Sequence, residues 1–193
     1  MAKIEKIVTK VLQWEAGLNS KYSALPLREQ YAQACKTGWS DDPADRGGAT
    51  MCGITLDTFK TYCSRKGCPI PVKQDLREMS YSVWLDIIKI LYWDRWIADK
   101  ITSQSVANIL VDWTINSGSY GIKIPQRLLG VQADGVVGAK TLSQLNSVNA
   151  RNFFEAAKAA RIDFVNNIAK NNPSQVKFLK GWLNRINSFK FES

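Results

Sequence analysis

The feature that most constrains the fold is a segment that is apolar nearly all round, residues 106–115. Ser105 before it is a favourable N-cap and Gly118 after it is a favourable stop, so the segment is predicted to be a helix. A helix without a polar face lies in the interior, because any exposed side would place apolar groups in water. The chain must therefore supply other helices to surround it.

The rest of the chain supplies such helices. Apolar residues spaced three and four apart predict a first helix over residues 4–16. Further helices are predicted over residues 26–35, 55–66, 81–98, 121–130, 138–146, 149–170 and 175–188, with Thr55 and Ser80 as N-caps. Asp134-Gly135 predicts a tight turn, and residues 41–54 predict turns or a hairpin. We therefore predict a mainly α fold with at most one small β-hairpin.

Glu15 lies at the end of the first predicted helix, next to Trp14 and shortly before Gly17. An aromatic neighbour displaces water that would solvate a carboxylate, which favours the protonated form that a general acid needs. Glu15 is therefore a candidate acid, although from this helix alone an ordinary surface glutamate is the simpler interpretation.

A second polar segment, residues 41–55, contains three aspartates, one proline and three glycines without any periodicity. Gly47-Gly48 suits positive φ angles or a close approach of backbone to a ligand. Asp41, Asp42 and Asp45 are thus presented on a loop of restricted shape, with the Thr50 hydroxyl nearby. The alternative is a polar turn in which the aspartates only cap backbone groups.

The chain contains no histidine, which removes Ser-His-Asp and Cys-His catalytic arrangements and His-ligated zinc. The four cysteines include no Cys-x-x-Cys pair, so a cysteine zinc site is not expected either. Carboxylates remain as the acid–base groups near neutral pH, and paired carboxylates favour glycoside hydrolysis. We predict neither a metal nor a cofactor.

The net charge of +9 predicts attraction to polyanions such as nucleic acid, anionic lipid or bacterial cell wall. The first residues are charged throughout and no apolar stretch of ~18 residues occurs, so we expect neither a signal peptide nor membrane insertion. We expect synthesis in the cytoplasm, with reduced cysteines, and action on the cell wall or periplasm after release by another route. Oxidation would close a small loop between Cys63 and Cys68.

Several motifs follow one another along the chain: Trp14-Glu15-Ala16-Gly17, Asp42-Pro43-Ala44-Asp45-Arg46-Gly47-Gly48-Ala49-Thr50, Gly53-Ile54-Thr55 and Tyr92-Trp93-Asp94-Arg95-Trp96. Their order resembles glycoside hydrolase family 108, which comprises bacterial and phage N-acetylmuramidases with a lysozyme-like fold. Residues 111–118 and 129–138 resemble the peptidoglycan-binding region that usually follows. The resemblance implies a lysozyme-like catalytic lobe at residues 1–104 and a helical peptidoglycan-binding lobe at residues 105–193 packed against it. We expect a monomer.

By motif position, the resemblance assigns the catalytic acid to Glu15, the second carboxylate to Asp45 and the accompanying hydroxyl to Thr50. The sequence departs from the family pattern in three places: Ala16 replaces a glycine, Arg46 replaces a proline, and residues 18–40 are inserted between the acid and the aspartate loop. Arg46 would place a guanidinium beside Asp45 and hold that carboxylate ionised. The insertion leaves the assignment of the acid intact and the position of the aspartate open.

Four further residues are predicted to contact the substrate. The rings of Trp39 and Trp113 would stack on sugar rings if they are exposed. The alternative is that they lie in the core, and this alternative applies above all to Trp113. Asp42 and Asn116 lie in segments that resemble the family, residues 42–50 and 111–118.

The predicted reaction is hydrolysis of the β-1,4 bond between N-acetylmuramic acid and N-acetylglucosamine in bacterial peptidoglycan. Glu15 would donate a proton, while Asp45 and Thr50 position or activate water. Likeness to phage lysozymes favours inversion. The alternatives are a lytic transglycosylase that uses Glu15 alone, a peptidoglycan-binding module without catalysis, and a nucleic-acid binder, which only the net charge supports.

Overall fold

The computed structural model describes residues 1–41 and 48–192, and within them the chain is mainly helical, as predicted. The α-helices of this part are α1 (Glu5–Ala16), α2 (Leu27–Cys35), α3 (Leu56–Lys66), α4 (Lys73–Arg77), α5 (Tyr81–Ile88), α6 (Gln104–Ser117), α7 (Tyr120–Leu128), α8 (Ala139–Ser147), α9 (Ala150–Asn171) and α10 (Val176–Ser188). Short 3₁₀ turns occur at Ser20–Tyr22, Asp94–Trp96, Ala98–Lys100 and Pro173–Gln175. None of the described helices is long and apolar enough to cross a membrane.

The strands form one small antiparallel sheet in the order β1 (Trp39–Ser40), β2 (Thr50–Met51) and β3 (Ile54–Thr55). Trp39 pairs with Met51 and Ser40 with Thr50, while Thr50 also pairs with Thr55. The predicted hairpin is β2–β3, and β1 adds a third strand on the other side of β2.

Two of the predicted N-caps are confirmed. The Thr55 hydroxyl accepts a hydrogen bond from the Thr58 N–H at 3.1 Å, and the Ser80 hydroxyl accepts one from Val83 at 3.3 Å. Ser103, rather than Ser105, caps the apolar helix α6. In each case the side-chain oxygen satisfies a backbone donor that the first helical turn leaves open.

The helix predicted over residues 81–98 is shorter than expected. It ends at Ile88 and continues as a π-helical turn, Lys89–Trp93, followed by 3₁₀ turns. In a continuous α-helix, Trp93 would lie about 160° away from Leu91 around the axis. The irregular turns interrupt this regular spacing, and Trp93 and Trp96 are both fully buried.

The chain divides into two compact units, Ile4–Leu91 and Met1–Lys3 with Tyr92–Ser193. In the first unit, one face of α1 is fully buried through Ile7, Val8, Val11 and Leu12, and the Trp84 side chain of α5 is also fully buried. The predicted functional division into residues 1–104 and 105–193 stays a prediction.

The second unit is organised around α6, in which nine of the 14 residues are buried. This confirms the prediction of a central helix. Asp112 on α6 is fully buried and pairs with Arg161 of α9 at 2.8 Å and with Arg185 of α10 at 2.7 Å. Burial would raise the pKa of Asp112, but the two guanidinium groups outweigh it and lower that pKa. The buried aspartate therefore remains ionised and ties three helices together.

Candidate active site

The end of α1 presents Glu15. Gly17 adopts the left-handed conformation, with φ of 66°, and its N–H bonds to the Leu12 carbonyl, which ends the helix. The N–H of the buried residue Leu18 bonds to the same carbonyl at 3.1 Å. Glu15, two residues before Gly17, is half-buried. A packed helix therefore holds the carboxylate at its last turn.

A tight turn joins β2 and β3 through Cys52 and Gly53. Both residues have positive φ, 47° and 79°, as a two-residue type I′ hairpin turn requires. The Cys52 N–H donates to the Gly38 carbonyl at 2.9 Å, and the Cys52 carbonyl accepts a hydrogen bond from the buried Trp84 indole at 3.1 Å. The turn is therefore anchored at both backbone groups of Cys52.

The hairpin turn lies directly against the Glu15 side chain. A Cβ atom built on Gly53 would lie 2.4 Å from Glu15 Cβ, 3.0 Å from its Cγ and 3.3 Å from its Oε2. Only glycine leaves room for this approach, and it also suits the positive φ. The helix end and the hairpin turn thus position Glu15 together.

Thr50 belongs to the same hairpin. It is half-buried, and its hydroxyl donates to the Gly48 carbonyl at 3.3 Å. The hairpin therefore links two of the predicted catalytic residues, because it carries Thr50 and contacts Glu15 at Gly53. The predicted residues Asp42 and Asp45 lie outside the described residues.

The start of the aspartate loop is held by α4. Lys73 Nζ forms an ion pair with Asp41 at 2.9 Å. The Arg77 guanidinium lies 5.4 Å from the centre of the Trp39 ring, and Trp39 is half-buried. Trp39 thus keeps part of its surface accessible, as the predicted substrate contact requires.

The remaining predicted substrate contacts belong to α6. Asn116 is exposed. Trp113 is 0% exposed, and its ring packs 6.3 Å from that of Phe164. In this position the Trp113 ring offers no face to a sugar, so the structure favours the core alternative for Trp113.

Three supporting residues lie outside the predicted site: Gly53, Trp84 and Cys52. Gly53 is part of the Gly-Ile-Thr motif, which was the available signal for it. Trp84 falls on the apolar face of α5 and is indistinguishable there from an ordinary core residue. Among the described side chains, no group of three or more His, Cys, Asp or Glu is arranged to hold a metal ion.

Comparisons with known proteins agree with this organisation. Residues 30–118 match the family model described as Glycosyl hydrolase 108, and residues 120–187 match that of a Predicted Peptidoglycan domain. The first match begins after Glu15. Among solved structures, SagA of Brucella abortus is similar over 83% of this chain and 91% of that chain, with 28% sequence identity and a TM-score of 0.65. The curated proteins include no match.

The two family matches are consecutive and together span residues 30–118 and 120–187, in the order in which the sequence motifs resemble the family. The mainly helical lysozyme-like fold, with its small sheet, agrees with them. The same two matches indicate glycoside hydrolysis as the reaction class and peptidoglycan as the target. Residues 30–118 therefore form a region of the glycoside hydrolase family 108 type, and the peptidoglycan-binding region follows it at residues 120–187.

Proposed function

We propose that the protein is an N-acetylmuramidase that hydrolyses the β-1,4 bond between N-acetylmuramic acid and N-acetylglucosamine. Protonated Glu15 donates its proton to the leaving glycosidic oxygen. Asp45, with the Thr50 hydroxyl, positions or activates the water that attacks the sugar.

The observation that carries this proposal is the contact between Gly53 and Glu15. A general acid must be held at a fixed place relative to the group that handles water, because misplacement by 1 Å costs about 10²-fold in rate. The hairpin supports the proposal, since it contacts Glu15 at Gly53 and carries Thr50 three residues earlier. The motif assigned to Asp45 enters this same hairpin.

The position of Asp45 decides the stereochemistry. Inverting glycosidases keep their carboxyl groups ~6.5–9.5 Å apart to admit water, whereas retaining ones keep them ~5–5.5 Å apart. We propose inversion, on the basis of the motif's likeness to phage lysozymes. The Lys73–Asp41 ion pair and the Arg77–Trp39 contact support one end of the loop in either case.

For the C-terminal region we propose retention on the wall through the α10 aromatic surface, defined as Phe178 and Trp182. Phe178 is 47% exposed, and the two ring centres are 6.0 Å apart. Lys177 Nζ lies 5.0 Å from the centre of the Phe178 ring, and Lys180 is exposed on the same helix. Aromatic faces suit sugar rings, and the ammonium groups suit the carboxylates of peptidoglycan.

The products of digestion test the proposed reaction. Purified sacculi are digested with the wild-type protein, reduced with borohydride and analysed by mass spectrometry. Reducible N-acetylmuramic acid ends support the proposal. Anhydro-muramic ends would instead indicate a lytic transglycosylase, and the absence of new ends would indicate a binding module.

A further inference from the structure

Two thiols meet beside the turn that supports Glu15. Cys35, the last residue of α2, is half-buried, and Cys52, the first turn residue, is buried. Their Sγ atoms are 3.6 Å apart, although the residues are 17 positions apart in the chain. A disulfide has its sulfurs about 2 Å apart, so closure requires only a short movement of the two side chains.

The surroundings of Cys52 allow this approach. A Cβ on Gly38 would lie 2.8 Å from Cys52 Sγ, so the missing side chain at Gly38 makes room for the thiol. Cys52 itself has a φ of 47°, at a turn position where Asn, Asp or Gly is usual. A cysteine at such a strained position points to a use for its sulfur.

The two thiols differ in reactivity. A hydrogen bond with Cys52 lowers the pKa of Cys35 to about 7. Burial acts in the opposite direction, and a hydrogen bond with Tyr31 lowers the pKa further. The hydrogen bond with Cys35 and burial together raise the pKa of Cys52. At neutral pH Cys35 is therefore a half-exposed nucleophile, and Cys52 is the protonated thiol behind it.

We propose that Cys35 and Cys52 are a disulfide-forming pair that closes the segment carrying Trp39, Asp45 and Thr50. The oxidant is a small or protein disulfide. The Cys35 thiolate attacks one of its sulfurs and expels the other as a thiolate. Cys52 then gives up its proton to the solvent or to the expelled thiolate and attacks Cys35 Sγ, releasing the second thiol. Overall, two protein thiols are oxidised to one disulfide, and the partner disulfide is reduced to two thiols.

The bond would link the end of α2 to the hairpin turn. This link restricts the unfolded chain and joins the two ends of the segment that bears Asp45 and Thr50. Its catalytic consequence rests on the proposed function, whereas formation of the bond does not. An enzyme assembled with reduced thiols would thereby gain rigidity at its site on meeting an oxidising wall environment.

Bond formation is tested by incubating the full-length wild-type protein with glutathione disulfide and mapping alkylated peptides by mass spectrometry. We expect a Cys35–Cys52 linked peptide and a rise in Tm of about 5–10 °C. The variant Cys63→Ser/Cys68→Ser is the control. It should form the same linked peptide and show the same rise in Tm on oxidation as wild type, because it keeps Cys35 and Cys52. Cys35→Ser should form no such bond. Failure to recover the Cys35–Cys52 peptide from wild type, or recovery of Cys63–Cys68 in its place, overturns the proposal.

The catalytic consequence is tested on the wild type itself, which avoids any folding defect of a variant. Oxidised and reduced protein are compared for cleavage of a soluble glycan fragment as temperature rises. Oxidised protein should retain activity about 5–10 °C beyond the reduced form. Equal thermal loss despite a mapped disulfide contradicts the role assigned to the bond. Inactivity of both forms, with the disulfide present, leaves bond formation supported and counts against the proposed function.

Discussion

Substituting Gly53 with alanine tests how the hairpin turn positions Glu15. The added Cβ would lie 2.4 Å from Glu15 Cβ, whereas ordinary contact begins at 3.4 Å. The two groups must therefore separate by about 1 Å, a displacement that costs about 10²-fold in rate when it affects a catalytic group. Alanine at a φ of 79° also costs about 1–2 kcal/mol of folding free energy, because its Cβ is crowded in the left-handed region.

Gly67→Ala separates these two effects. Gly67 ends α3 in the same compact unit with a φ of 68°, and a Cβ there would meet nothing within 4 Å. Both variants should lose a few degrees of Tm, measured by circular dichroism, because of the left-handed φ, and Gly53→Ala should lose more because of the overlap with Glu15. Only Gly53→Ala should lose about 10²-fold in the initial rate on a soluble glycan fragment. Equal rates for the two variants would refute the claim that Gly53 positions a catalytic Glu15.

Three further outcomes are expected. Asp45→Asn should reduce the initial rate ~10²-fold or more, whereas Asp41→Asn should change it little, because the exposed pair with Lys73 contributes only ~0–1 kcal/mol; a larger loss for Asp41→Asn contradicts the motif assignment. Lysis of whole sacculi should fall as salt shortens the screening length from ~10 Å at 0.1 M to ~3 Å at 1 M, while cleavage of a neutral fragment changes less; no difference between substrates removes the steering role of the +9 charge. Phe178→Ala with Trp182→Ala should weaken co-sedimentation with sacculi and leave fragment cleavage unchanged; unchanged co-sedimentation argues against the α10 surface.

Local physics made much of the helical fold predictable. Thr55 and Ser80 satisfy open backbone donors in the turn that follows them, so the signal lies within four residues. The apolar character of α6 likewise predicts its burial without any knowledge of its neighbours. The early end of α5 was not predictable in this way, because buried apolar residues continue past Ile88 at Leu91 and Trp93 and no local stop signal follows Ile88.

The candidate site was predictable mainly as a set of motifs. Glu15 and Thr50 were assigned by motif position, but the contact between Glu15 and Gly53 joins residues far apart in the chain and has no local signal. The type I′ turn was also missed, because Cys52 is not a residue that such a turn favours. The burial of Trp113 shows the same limit, since an aromatic residue on a helix suits either the core or a sugar.

The most direct test of the account compares Glu15→Gln with Glu5→Gln, two substitutions of the same kind on one helix. Glu5 is exposed in the first turn of α1, and Glu15 lies in its last. Both variants should keep the wild-type circular dichroism spectrum and co-sediment with sacculi. Glu15→Gln should lose ~10²–10⁴-fold in the initial rate of release of muramic reducing ends, because an amide cannot donate the proton, whereas Glu5→Gln should stay near wild type. A folded Glu15→Gln variant that retains more than about a tenth of the wild-type rate would contradict the assignment of Glu15 as the general acid.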